Sequence, residues 1–414
     1  MKQKTEDIIN QLLKIAVKKS FSDFASISEG SEPHHSFHNP EDNYILTFQG
    51  YENTLHYESS IKKLYSVDLN IYKNFSHKEF EKEFIKDFKT LFDSTDSADA
   101  SFFLNFLNRL NKKPTIHAAV IKDIYGIKLN NHREPFKLGL FTIFHYPTHC
   151  DIINSKTNIS SSSIWRSEQK HEYLIGVEVS AKGKKKIIEI AYSLFSKFEK
   201  FISLLIGVYI SDQRVSIIEP IGWYYDKSIL ITKDEVYSPS SLSGAYVPID
   251  LDNPFYSDPD NGVNSLWNLL QFKKLTSVQS RLSSAIDWFG KACCEKNIEN
   301  RFLFFMIAIE SILTFQEKGV LVSPSIASVI SDGIVFLLSD SSEDRKLLAK
   351  RINKLYQTRS SIAHGAKHHV TEEDERDACK ISRSLIMRFL TDTDLFNLPS
   401  QDALNDLIKT KRYN

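Results

Sequence analysis

At 414 residues the chain is too long for one simple core, and two or three domains are expected. A hydrophobic content of 42% with 12% aromatics excludes a disordered protein. Lys+Arg and Asp+Glu are both 52, so a globally basic coat for holding nucleic acid is excluded, and any RNA contact must come from a local patch.

The four cysteines, Cys150, Cys293, Cys294 and Cys379, contain no C-x2-C pair, and neighbours such as Cys293 and Cys294 do not bridge each other readily. A zinc knuckle and a disulfide framework are therefore not expected, which suits a reducing cytoplasm. Residues 1–20 mix lysines with apolar residues and lack the core of a signal peptide. The longest apolar run, 302–309, is far short of the ~20 residues that span a bilayer. The expectation is a cytoplasmic protein with no membrane partner.

Residues 1–25 predict an amphipathic N-terminal helix, with Ile8, Ile9, Leu12, Leu13, Ile15 and Ala16 at helical spacing. Residues 26–42, with Pro33 and Pro40, read as a polar linker in which His34, His35 and His38 are solvated. An α+β domain is expected over 43–255, assigned a sensing or specificity role. It holds helix over 77–112 with a break at 94–97. Strands follow at 117–129, 136–145, 172–179, 214–219 and 223–232, with a helix over 186–206 before the last two. The turn-rich stretch 250–262 reads as a domain boundary. From 263 to 395 the pattern is all helical, with helices at 263–274, 277–296, 299–316, 323–338, 343–364 and 371–391, and residues 396–414 read as a polar tail. Thr371 and Asp374 form a capping-box arrangement at the start of the last helix.

The chemistry-bearing segment is 355–369, LYQTRSSIAHGAKHH. The helix entering it has an apolar seam of Leu348, Ile352, Leu355 and Ile362, and Arg359 falls on that seam. A guanidinium there is costly unless an anion meets it. Glu310, at the end of the apolar run 302–309, is a carboxylate with the same need, so the two are expected to pair; a purely structural ion pair is the simpler account of Glu310 alone. His364 follows Arg359 by five residues and precedes Gly365, a C-cap glycine. Five residues turn roughly 140° on a helix, so the two side chains do not line up on one straight helix. They converge where the chain unwinds at Gly365 or where a second subunit completes the site.

The pattern Tyr356-x2-Arg359-Ser360-x3-His364-Gly365 resembles the R-x4-6-H signature of HEPN ribonucleases. With Ala285-Ile286-Asp287-Trp288-Phe289 and Ala308-Ile309-Glu310-Ser311-Ile312-Leu313 upstream, it is similar to the ApeA-like HEPN group of bacterial anti-phage systems. The resemblance covers residues 270–392. It implies an α+β N-terminal region followed by an all-α HEPN bundle, and a homodimer whose two motifs face each other. It further implies cleavage of RNA with no metal and no cofactor, and an effector responsive to a phage-derived trigger. The residue types suit that chemistry. RNA supplies its 2′-hydroxyl as nucleophile, His364 can move protons near neutrality, and Arg359 can hold the scissile phosphate. Ser360 and Tyr356 are assigned supporting roles with Glu310. Lys367, His368 and His369 are assigned to RNA phosphate, with plain solvation the competing account, and Arg351 and Lys354 to the helix dipole. The competing reading of the whole is a non-catalytic HEPN module that binds RNA or a nucleotide, or dimerises.

Elsewhere, His145, His149 and Cys150 fit no common zinc spacing and read as structural, on a strand turning at Pro147. Residues 182–186 read as a solvated basic turn. Asp258 and Asp260 lack the remainder of a metal-dependent nuclease motif.

Overall fold

The computed structural model describes residues 2–21, 34–38, 44–95, 97–155, 172–207, 214–217, 224–227, 230–231, 236–237, 240–243, 247–272, 274–314, 326–365 and 369–413. The fold is mixed, with short strands before residue 251 and, among the described residues, helices alone after it.

The elements begin with α1 (Lys2–Ile15), β1 (Ala16–Lys19), β2 (His34–Phe37), β3 (Ile45–Gln49), α2 (Tyr51–Tyr65), α3 (Leu69–Asn74), α4 (His77–Ser94) and α5 (Ala100–Lys112). Next come β4 (Ile116–Asp123), β5 (Ile127–Lys128), β6 (Phe136–Leu138), β7 (Phe141–His145), α6 (Tyr146–Ser155), β8 (Tyr173–Ala181) and α7 (Lys184–Ile206). Short strands β9 (Tyr224–Lys227), β10 (Leu230–Ile231), β11 (Val236–Tyr237), β12 (Ser240–Ser243) and β13 (Ile249–Asp250) lead into the helical part. That part comprises α8 (Val263–Gln271), α9 (Ser277–Cys294), α10 (Ile298–Leu313), α11 (Ile326–Leu338), α12 (Ser342–Ala363), α13 (Glu372–Thr391), α14 (Thr393–Phe396) and α15 (Gln401–Tyr413).

The chain divides into two compact units: residues 1–120 with 178–191, and residues 121–177 with 192–414. In the first, β1 and β2 flank β3 in an antiparallel sheet. Against it lies an aromatic core built on Phe80, Phe84 and Phe88, spaced four residues apart along α4, with Phe103 and Phe106 of α5. Ser76 and Glu79 close a capping box on α4. The same Glu79 carboxylate accepts the Lys185 and Lys186 amides at 2.8 and 3.2 Å, opening α7. A Cβ at Gly183 would stand 2.1 Å from Glu79 Oε2, so a larger residue there would displace this carboxylate from the amides it accepts.

In the second unit, β7 pairs antiparallel with β6 on one side and with residues 173–177 of β8 on the other. Trp267 of α8 packs its indole on Phe141, Phe198 and Phe201. This one side chain explains why 250–262 is no boundary between units: the first helix after it is anchored in the core of what precedes it. The stretch itself is folded. Leu251 is buried, β13 pairs parallel with β5, and Asp252 accepts the Asn130 and Asn131 amides. Asp258 caps the following turn through the Asp260 amide.

Several further expectations differ from the fold. The N-terminal helix stops at Ile15 and gives way to β1. The stretch read as a polar linker contains β2, where half-buried His35 packs on the Tyr57 ring. The helix α6 starts at Tyr146, where a turn is expected at Pro147. There His149 is buried, its Nδ1 accepting the His145 amide at 3.1 Å. The basic residues 182–186 are engaged: the Lys182 ammonium donates to the Asn111 carbonyl, and Lys186 lies 4.9 Å from the Tyr72 ring centre. The stretch 396–414, expected as a polar tail, begins on the last residue of α14 and folds into α15, burying Phe396 and Leu404. No helix among the described residues is long and apolar enough to cross a membrane. All four cysteines are free.

Candidate active site

Helices α10, α12 and α13 pack against one another, and each pair is joined by one ion pair. Arg301 of α10 meets Glu375 of α13 at 3.5 Å, Lys354 of α12 meets Asp374 of α13 at 2.7 Å, and Arg359 of α12 meets Glu310 of α10 at 2.8 Å. The last is the pairing expected from the apolar seam.

Its details follow from the two helices. α12 buries Ile352, Leu355 and Thr358, so the seam passes through Thr358 and places Arg359 at its edge, with 29% of its side chain exposed. Arg359 Nη2 donates to Glu310 Oε2 at 3.0 Å. Nε and Oε1 lie 2.8 Å apart as an ionic contact without a second hydrogen bond. Glu310 is 16% exposed, and burial pushes its carboxyl above the ordinary range; the Arg359 charge and hydrogen bond offset this only in part. Tyr356, one turn before Arg359, stands with its ring centre 6.0 Å from the guanidinium carbon. Burial and then the Glu310 charge raise its hydroxyl, keeping the phenol neutral.

Glu310 is itself held by the end of its helix. Arg281 of α9 donates to the Ser311 and Thr314 carbonyls at 3.0 and 2.6 Å, and Gln401 of α15 donates to the Ile312 carbonyl at 3.0 Å. These side chains satisfy carbonyls that a helix C-terminus leaves without partners. They supply positioning that the sequence reading missed. No local signal reveals them, because Gln401 lies 89 residues from its acceptor.

His364 occupies the C-cap of α12, its amide donating to the Ser360 carbonyl at 3.1 Å. Gly365 has φ +73°, the left-handed conformation that closes the helix, and its amide donates to the Ile362 carbonyl at 3.0 Å. The expected C-cap role of this glycine is therefore observed. The His364 side chain is exposed, whereas Arg359 turns toward α10; among the described residues no hydrogen bond or ion pair joins the two within one chain. Ser360 is half-buried and His369 exposed. Lys367 and His368 lie outside the described residues.

Lys354, expected to answer the helix dipole, instead meets the N3 carboxylate of the α13 capping box. Hydrogen bonding to Asp374 raises the Lys354 ammonium. Arg351 is exposed. Of the two motifs upstream, Ala285, Ile286, Phe289, Ala308, Ile309, Ile312 and Leu313 are core, while Asp287 pairs with Lys200 at 3.1 Å. No group of three or more His, Cys, Asp or Glu among the described residues could hold a metal ion.

The geometry thus offers a half-exposed guanidinium, a carboxylate of raised pKa, a neutral phenol and an exposed imidazole near the C-terminal end of one helix. Compared with protein-family models, curated proteins and solved structures, the chain matches none.

Proposed function

We propose that the chain is a HEPN-type, metal-independent endoribonuclease acting as an anti-phage effector in the cytoplasm, with Arg359 and His364 as its catalytic residues. The observation that carries this reading is Arg359, held half-exposed by Glu310 on the helix whose capped end presents His364 to solvent. A guanidinium with N–H groups beyond the one donated to Glu310 can grip a phosphate and stabilise the charge that builds in the transition state. The 2′-hydroxyl attacks the adjacent phosphorus, the 5′-oxygen leaves, and His364 carries a proton for one of these two oxygens. The products are a 2′,3′-cyclic phosphate and a 5′-hydroxyl. Within one chain the imidazole and guanidinium do not touch, so the reading requires a homodimer in which a second copy of the motif completes the site.

The test is cleavage of RNA in EDTA by the wild type and by Arg359→Ala and His364→Ala, with the ends of the fragments mapped. Loss of cleavage in both variants, with cyclic phosphate ends in the wild type, is expected. Equal cleavage by wild type and both variants would remove the assignment. A phage-challenge assay with sequencing of cleaved ends then identifies the RNA and the trigger.

One observation favours a second reading. The Glu310–Arg359 pair satisfies both charges by itself, as a structural ion pair would. A HEPN module that binds RNA or a nucleotide, or dimerises, without catalysis would bind RNA and leave it intact under every trigger.

A further inference from the structure

A cavity of about 260 Å³ opens in the second unit, remote in sequence from the motif of α12. Its walls are Ser196, Glu199 and Lys200 of α7, residues 214–216, and Gly290, Lys291 and Cys294 of α9. The helical contributions are spaced so that each set shares a face: 196, 199 and 200 at i, i+3 and i+4, and 290, 291 and 294 around one turn.

The walls are built and held. Gly290 lets the two helices approach closely, since a Cβ there would meet Lys200 Cβ at 2.4 Å. The Lys200 stem is thereby fixed along α9, and its ammonium is tethered to Asp287 at 3.1 Å. Glu199 is the lining carboxylate, and its Oε1 accepts the Ile217 amide at 2.6 Å, which fastens the 214–217 segment. Ser216 is 4% exposed and bridges to Tyr125. Lys291 holds its ammonium 4.0 Å from the Trp288 ring centre. Arg214 reaches the Cys294 sulfur. Three cations therefore line the space with one carboxylate, and that carboxylate is engaged with a backbone amide.

We propose that this cavity binds a small phosphorylated molecule, its phosphate held by Arg214, Lys200 and Lys291. The chemistry favours an anion because Arg214, Lys200 and Lys291 still exceed the carboxylates of Glu199 and Asp287 by one charge when the Lys200–Asp287 pair is counted, and the lining adds the Ser196 hydroxyl. An arginine fork and two ammonium groups suit phosphate oxygens, the arginine bidentately and the lysines as point charges. The size accommodates a phosphate with an attached group of moderate size, not a polymer. The site stands independently of the nuclease reading.

Cys294 on the wall is exposed and serves as the reporter. The full chain is labelled with iodoacetamide, and alkylation of Cys294 is followed against Cys150 by peptide mass spectrometry, with fragmentation separating it from Cys293. Pyrophosphate, adenosine monophosphate and adenosine are compared at matched ionic strength. Protection by a phosphate compound, reaching about tenfold at ten times its Kd, and lost in Lys291→Glu, is the expected result. Protection by pyrophosphate alone points to a compact inorganic-sized anion, and protection by the monophosphate but not adenosine points to a nucleotide. Equal protection by adenosine, no protection by either phosphate compound, or undiminished protection in a folded Lys291→Glu protein overturns the proposal. If circular dichroism shows that variant misfolded, Lys291→Gln replaces it under the same criterion. RNA cleavage is not the readout, so failure here leaves the nuclease reading standing and the converse holds equally.

Discussion

Arg359 answers to two environments at once, the apolar seam of α12 below it and solvent above. Glu310 reconciles them, and removing it leaves a partly buried cation with its Nη2 donor unmatched. Glu310→Ala is therefore expected to destabilise the protein by about 1–2 kcal/mol, less than for a fully buried pair because 29% of the arginine remains exposed. Thermal melts monitored by circular dichroism measure this, and an unchanged Tm would show the pair to be idle. The same carboxyl sets a pH dependence. Burial raises its folded pKa above the unfolded value of about 4.3, so its contribution is fully present below that value and is lost as pH rises through the folded one. Glutamine does not titrate. Wild-type stability relative to Glu310→Gln is expected to be greatest near about pH 4 and to fall toward neutrality. A difference that grows with pH instead would mean that Arg359 outweighs desolvation.

The helices around this pair are secured at their ends more than along their lengths. α12 buries only Ile352, Leu355 and Thr358 over 22 residues, so its termination at Gly365 matters to where His364 lies. A Cβ at 365 would meet nothing within 4 Å, which leaves the left-handed backbone as the whole cost of substitution. Gly365→Ala is expected to lose about 1 kcal/mol and Gly365→Asn distinctly less, since asparagine tolerates that conformation. Equal losses in denaturant titrations would indicate a packing role. α15 does the corresponding work for α10, inserting Leu404 into the core and capping the Ile312 carbonyl with Gln401. Ending the chain at residue 398 should lower the Tm by several degrees or more through the loss of buried Leu404 alone, a cost of about 2–5 kcal/mol. A truncated protein that melts with the wild type would make α15 an ornament.

Across the full chain, what sequence reveals well is what neighbours along it decide. The helices of 263–391 are legible from apolar spacing, the α13 start from Thr371 and Asp374, and the helix end from Gly365. The Glu310–Arg359 pair is legible because each charge interrupts an apolar run, which leaves each in need of a partner. The division into units is not legible: within the second unit Trp267 meets Phe141 across more than a hundred residues and Phe198 across more than sixty, and the strands are too short for a periodic signal. The Arg281 and Gln401 caps and the cation-lined cavity are hidden for the same reason. Charge, in contrast, is global, and it yields a last expectation. On the proposed nuclease reading, with Lys+Arg and Asp+Glu both at 52, long-range attraction of RNA would be weak, and association would rest on the few phosphates within reach of Arg359 and its neighbours. Each neutralised phosphate of a single strand contributes a slope of about −0.7 to log K against log salt, so two or three contacts give about −1.4 to −2.1. Titration of single-stranded RNA at several salt concentrations, using His364→Ala so that substrate survives, measures this directly. A slope steeper than about −5 would require a broad basic surface that a chain of zero net charge must then assemble by segregating its charges onto opposite faces.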